Sequence, residues 1–189
     1  MIICHGSSGD RAWGFLPELA ERLARAGLSV VSFDFSYQTV ASRLDELDLV
    51  LEALKRGTVG DATTTYGLIG HDTGAAVALL RSAGDERVRA LVTCSAMARF
   101  GAHDVTLEML SAARAVRMPW LLVHGTADES VPLHDARALR WAAQGDSVEL
   151  LLLEGGSHAF GAQHPWTGSN PILEQLVRAS IAWLGRYLP

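Results

Sequence analysis

The chain has only two cysteines, Cys4 and Cys94, in 189 residues. Each sits inside or at the end of an apolar run, and a lone pair makes no disulfide framework, so both are read as buried thiols. No apolar run reaches the roughly 18 to 20 residues that cross a bilayer, and no charged, apolar, small-residue leader opens the chain. The expected location is the cytoplasm. There is no run of Lys or Arg, and a formal net charge of -5 leaves no basic face for nucleic acid or an anionic membrane. His124, His134 and His164 do not fall at metal-ligand spacing with a carboxylate, and no C-x-x-C or H-x-x-x-H pair is present. Neither metal nor cofactor is expected. The glycines of His5-Gly6-Ser7-Ser8-Gly9 suggest a phosphate cradle, but no Lys follows and G-x-G-x-x-G spacing is absent.

At 49% hydrophobic and 20% charged residues, the chain has the composition of one core-bearing domain spanning residues 1–189. No internal repeat or low-complexity tract is visible. Met1 to Cys4 is a short apolar strand that runs into the glycine loop. From Arg11 to Ala26, Trp13, Leu16, Leu19, Ala20, Leu23 and Ala26 share one helix face, with Gly27 as the stop. Leu28 to Phe33 reads as a strand, and Ser42 to Lys55 as a helix closing at Gly57. Val88–Cys94, Trp120–Gly125 and Val148–Leu153 read as further strands, the first followed by an exit loop from Ser95 to Phe100. Between and after them come helices over His103 to Val116, Leu133 to Gln144 and about Ile172 to Tyr187. Strands alternating with helices predict a doubly wound, mostly parallel sheet of about six strands with helices on both faces.

The most informative stretch is Tyr66 to Leu80, a short strand, a sharp turn and a helix, with Gly70-His71-Asp72-Thr73-Gly74 at the turn. This is the spacing of a nucleophile elbow, in which small residues two before and two after the nucleophile allow the turn to tighten. A carboxylate stands where a hydroxyl is usual. Read alone, an Asp at a helix start is a cap. Ligands of such sheets bind beyond the carboxyl ends of the strands, and His5, Asp34, Asp72, Ser95, Asp128 and His158 all fall in loops there. That convergence favours chemistry over capping.

Asp72, Asp128 and His158 follow the nucleophile, acid and histidine order of the α/β-hydrolase fold, and His5 to Gly9 resembles its oxyanion loop. More narrowly, the chain resembles the small capless members of the dienelactone hydrolase family. His124-Gly125-Thr126-Ala127-Asp128-Glu129-Ser130-Val131-Pro132 resembles their acid loop, and Glu154-Gly155-Gly156-Ser157-His158-Ala159-Phe160 their histidine loop. The resemblance implies a three-layer αβα sandwich, a minimal core without a cap, that begins at the family's third strand. It also implies an oxyanion hole from the backbone N–H groups of Ser7 and Thr73. That family carries Ser or Cys at the elbow; Asp there resembles the epoxide hydrolases and haloalkane dehalogenases. Those relatives insert a helical cap, whereas Ser95 to Met118 leaves room for about one helix. Thr73 also stands where the dehalogenases place Trp.

The expectation is therefore a hydrolase of small molecules. A carboxylate with a pKa near ~3.9 is ionised without help, so Asp72 would attack an epoxide carbon, or a carbon bearing halide, and form an enzyme ester. His158, oriented by Asp128, would activate water against that ester. The alternatives are an ester or lactone hydrolase, in which Asp72 is a general base or stands in place of Ser, and a non-catalytic binding protein on the same scaffold. Tyr37 is the candidate proton donor, its other reading being packing beneath a loop, and Trp13, Phe160 and Trp166 are candidates to line the pocket. His5 is expected to brace the oxyanion loop and His71 to point away from the nucleophile. Neither nucleic acid nor membrane is expected as a partner, and the sequence leaves a homodimer open.

Overall fold

The computed structural model describes residues 1–7, 9–98 and 103–188, with the side chains of 103–108 outside the description. Ser8 of the oxyanion loop, and Arg99 and Phe100 of the expected exit loop, therefore lie outside the described residues. In chain order the elements are β1 (Ile2–Cys4), α1 (Leu16–Arg25), β2 (Val31–Ser32), α2 (Val40–Lys55), β3 (Tyr66–His71), α3 (Thr73–Ser82), β4 (Val88–Cys94) and α4 (His103–Ala115). They continue with β5 (Trp120–Gly125), α5 (Leu133–Ala142), β6 (Val148–Leu153) and α6 (Pro171–Tyr187).

The six strands form one sheet in the order β2-β1-β3-β4-β5-β6, and every described pairing is parallel. Side chains alternate between its faces, as the pleat requires. Ile2, Leu68, Leu91 and Leu122 pack on α2 to α5, while Ile3, Ile69, Val92 and Val123 pack on α1 and α6. Because both faces are covered, β3, β4 and β5 are apolar runs rather than alternating ones. This is a doubly wound α/β core, and among the described residues one helix, α4, lies between β4 and β5.

Strand order reverses between β1 and β3, since the chain first steps outward to β2 and then returns to the far side of β1. Their carboxyl ends diverge into the crevice where such sheets bind ligands. The loop after β1 and the turn after β3 both enter it.

Among the boundaries that differ from the sequence reading, those of three elements have a clear local reason. The first helix begins at Leu16 rather than Arg11, because Gly14 has a positive φ of 51° that no helix accommodates. The second begins at Val40, where Thr39 Oγ1 accepts the Ser42 N–H at 3.1 Å as an N-cap. The second strand contracts to Val31–Ser32 because its only neighbour, β1, is three residues long.

At the elbow, backbone approaches backbone. A Cβ on Gly70 would lie 2.2 Å from Gly74 O, and one on Gly74 would lie 2.2 Å from Cys4 O. Neither carbonyl can yield, since both belong to packed elements. We therefore predict that Gly74→Ala lowers unfolding free energy by about 2–3 kcal/mol, the cost of overpacking a rigid site. Gly185→Ala, in α6 with open space around it, should raise it by about 0.5–1 kcal/mol. Denaturant melts of the two variants give the comparison.

Candidate active site

Asp72 joins β3 to α3 with φ 54° and ψ -123°, a conformation that costs a non-glycine residue of order 1–3 kcal/mol and that clusters at functional sites. The turn lifts the carboxylate over the strand ends and makes no helix cap with it. Instead Oδ2 accepts the Ser7 N–H at 2.9 Å and the Ser7 hydroxyl at 2.8 Å. The backbone N–H of Thr73 and its hydroxyl, at 3.2 Å, reach the same carboxylate. Burial alone would raise its pKa. The Ser7 and Thr73 N–H groups, the Ser7 hydroxyl and the nearby His71 outweigh burial and lower it.

The Ser7 N–H is aimed by the peptide it belongs to. In a planar trans peptide the carbonyl and the next N–H point in opposite directions. Gly6 O accepts from His5 Nδ1 at 2.7 Å and from Arg43 at 3.3 Å, so the Ser7 N–H is turned toward Asp72. The roles of the His5 ring follow from its partners. Nε2 accepts the Phe35 N–H at 2.8 Å, which leaves Nδ1 as the donor. Arg43 has no exposed surface, and its guanidinium donates to the carbonyls of Tyr37, His5 and Gly6 and lies over the Phe35 ring. Gly6 must be glycine, because a Cβ there would fall 2.8 Å from Asp72 Oδ2.

On the other side, Asp128 is fully buried and its Oδ1 accepts the N–H groups of Ser130 and Val131 at 2.9 and 2.8 Å. Its two oxygens lie 3.0 and 3.2 Å from His158 Nδ1. Burial opposes ionisation of Asp128, but His158 and the two N–H groups hold its pKa down at about 2. Burial would also lower the His158 pKa; the hydrogen bond and charge of Asp128, with the charge of Asp72, reverse that and raise it. His158 Nε2 stands 3.7 Å from Asp72 Oδ1, beyond hydrogen-bond distance but close enough for the two charges to act on each other. The backbone is held as well. His158 O accepts from His71 Nε2 at 3.0 Å and from Ser95 Oγ at 2.9 Å.

A strained turn carrying Asp72, N–H donors beside it and an Asp-oriented His across from it share the layout of an acyl-transfer constellation. The model of the Alpha/beta hydrolase family matches residues 1–119. The chain belongs to that family. None of the curated proteins compared with it matches in sequence. Among solved structures, a dienelactone hydrolase from Anabaena variabilis is 22% identical with a TM-score of 0.81, over 100% of this chain and 86% of its own. An esterase of Pyrococcus furiosus has 19% identity and a TM-score of 0.80, over 100% and 82%. A monoacylglycerol lipase of Paleococcus ferrophilus has 16% and 0.77, over 97% and 92%. At these identities the likeness is one of fold.

In this α/β-hydrolase chain the site opens into a small cavity of about 50 Å³ lined by Gly6, Gly9, Trp13, His71, Asp72 and His158. Of the aromatic residues expected at the site, Trp13 lines the cavity, and Phe160, Trp166 and the proton-donor candidate Tyr37 are elsewhere. Phe160 has no exposed surface and packs edge-on against Phe15 behind His71. Trp166 packs against the α1/α6 core. Tyr37 is 62% exposed, because Arg43 draws its carbonyl, and not its ring, inward. His71, expected to point away, is a wall of the cavity, and burial holds it neutral with a pKa of about 4. A larger cavity of about 560 Å³ lies at the opposite ends of the strands, beside Gly84, Arg89, Met118 and Tyr187, and its lining holds no histidine, serine or cysteine. Volume therefore does not locate the chemistry.

The arrangement fixes the sign of the His158 titration. Its ring pKa should lie above 6.5 in the native protein, drop clearly in Asp128→Asn, and drop by less in Asp72→Asn, where only a through-space charge is lost. Ring-proton NMR across pH 4–9 reads all three directly. Titration of the native ring below 6.5 would contradict the charge arrangement.

Proposed function

We propose that this chain is a hydrolase in which Asp72 is a covalent nucleophile toward an epoxide, or alternatively a carbon–halogen bond. One observation carries the reading: Asp72 Oδ2 itself occupies the oxyanion donors, bound by the Ser7 N–H and hydroxyl. A Ser or Cys nucleophile leaves those donors free for the carbonyl oxygen of a substrate. Here they serve the oxygen of the enzyme's own carboxylate and, after alkylation, of its own ester. Oδ1 is left toward the cavity and His158.

The proposed cycle balances with water alone. An Oδ1 lone pair forms a C–O bond to the epoxide carbon as the ring C–O bond breaks, and the alkoxide takes the proton of the His158 imidazolium. With a halide, the electron pair leaves on the halide and the His158 imidazolium releases its proton to solvent. Neutral His158 then takes a proton from water as its oxygen attacks Asp72 Cγ. The negative charge gathers on Oδ2, between Ser7 and Thr73. Collapse expels the alcohol, which takes the proton back, and leaves one water oxygen in Asp72 as its carboxylic acid. That acid returns its proton to His158, restoring the carboxylate and the imidazolium.

A second reading, an ester or lactone hydrolase with Asp72 in the place of Ser, draws its support from the fold neighbours named as a dienelactone hydrolase and esterases. The two are separated by trapping. His158→Gln, incubated at length with an epoxide panel and weighed intact, should slowly gain the mass of one epoxide, the alkoxide then taking its proton from water, mapped to the Asp72 peptide and absent from Asp72→Asn. Steady ester turnover without any adduct, or a large gain in ester hydrolysis on Asp72→Ser, would favour the second reading instead.

A further inference from the structure

The cavity beside Asp72 is walled by rings on one side. Trp13 stacks on His71 with centroids 5.7 Å apart and planes 15° apart, and on His164 at 6.3 Å and 17°. Its edge meets Phe15 at 6.5 Å. It is wedged against the oxyanion loop so closely that a Cβ on Gly9 would fall 2.5 Å from its Cγ. His164 is tied back by the Gly14 N–H, which donates to its Nδ1 at 3.3 Å. A tryptophan held on two faces and one edge cannot swing aside without breaking both stacks. The space beside the stack, about 50 Å³ and open to solvent on its far side, is room for about three or four water-sized groups.

Charge narrows the choice further. Among the described residues, the ionisable side chains on the lining are Asp72, His158 and His71. His71 is neutral, with Nε2 donating to a backbone carbonyl. His158 already faces two carboxylates, Asp128 and Asp72. His124, packed beneath it, is kept neutral by burial and donates to Val131 O. Arg43, the nearest fixed cation, has its donors on the His5, Gly6 and Tyr37 carbonyls. Among the described residues no cation is spare for a substrate carboxylate, and Asp72 repels one.

Resting on Asp72 as the attacking group, the geometry points to Trp13 as the residue that sets substrate size, and to short, uncharged, terminal epoxides or primary halides as the substrate class. The reacting carbon, its leaving group and one or two further carbons fill the space between Asp72 and the Trp13–His71 stack. An aryl substituent collides with the indole, and an acidic one meets Asp72 with no counter-charge.

The test compares propylene oxide, styrene oxide and glycidate on His158→Gln, with the rate of Asp72 adduct formation by intact mass divided by the reactivity of each epoxide toward free acetate. Propylene oxide should lead styrene oxide by about tenfold or more, the discrimination a tight pocket gives for excess bulk, and glycidate should give no adduct. Adding Trp13→Ala should bring styrene oxide to within about threefold of propylene oxide and leave glycidate excluded. Trp13→Phe, which keeps a ring in the wedge, should retain the preference. Equal rates for propylene and styrene oxide with Trp13 in place would overturn the filter, as would a folded Trp13→Ala variant with unchanged selectivity. Saturation-transfer NMR on the wild-type and Trp13→Ala proteins decides the filter without any covalent step. Propylene glycol should bind to both and phenyl glycol to the variant alone; phenyl glycol binding equally to both would overturn it. Absence of label in Asp72 after a single turnover of the wild-type protein in heavy-oxygen water, with the diol pattern intact, removes the nucleophile reading and leaves the filter standing.

Discussion

The site depends on one peptide unit, the plane between Gly6 and Ser7. Its carbonyl is held from behind by His5 and by the buried Arg43, and its N–H is thereby presented to Asp72. A guanidinium without exposed surface is costly unless its donors are satisfied, and here they are satisfied by carbonyls of the loop that must be shaped. Burial lowers the Arg43 pKa, while the charges of Asp72 and Glu46 act in the opposite direction. The cation thus braces the loop mechanically and favours the anionic form of Asp72. Were the plane to rotate, Asp72 would lose a donor and the guanidinium an acceptor together, so neither part relaxes alone.

The proposed chemistry uses the same charges in sequence. In the free enzyme His158 lies between Asp128 and Asp72 and its pKa is raised, which suits it to hold a proton for a developing alkoxide. Alkylation of Asp72 removes one of the two carboxylate charges. The His158 pKa then falls, and the ring becomes the acceptor that the water step needs. Asp128, fully buried and anchored by the Ser130 and Val131 N–H groups, keeps the ring oriented through both steps. The acid and histidine loops are fixed to one another by backbone. A Cβ on Gly125 would fall 2.1 Å from Gly156 O, and the Ala127 N–H donates to that same oxygen at 2.9 Å.

Much of the fold is legible in the sequence because buried parallel strands are continuous apolar runs with sharp ends. Val88–Cys94, Trp120–Gly125 and Val148–Leu153 are readable to the residue. Helix starts are less so, since they turn on a capping oxygen or a glycine torsion, as at Thr39 and Gly14. The loops that bring Asp72, Asp128 and His158 together are marked by glycines that allow backbones to touch. Side-chain direction within loops carries no such mark. Tyr37 lies beyond the second strand as read, yet its ring faces solvent because its carbonyl is the part recruited. Arg43 left a signal, since it shares the helix face of Leu47, Leu51 and Leu54, all buried. A charge in phase with an apolar stripe points to a buried partner.

The central claim is that the oxygen delivered to product comes first from Asp72. A single turnover of the wild-type enzyme, in excess over propylene oxide in heavy-oxygen water, tests it by mass spectrometry of the Asp72 peptide and the diol. The account predicts label in the Asp72 carboxylate and unlabelled oxygen in the first-formed diol. Label in the diol with none in Asp72 would mean that water attacks substrate directly, and would contradict it.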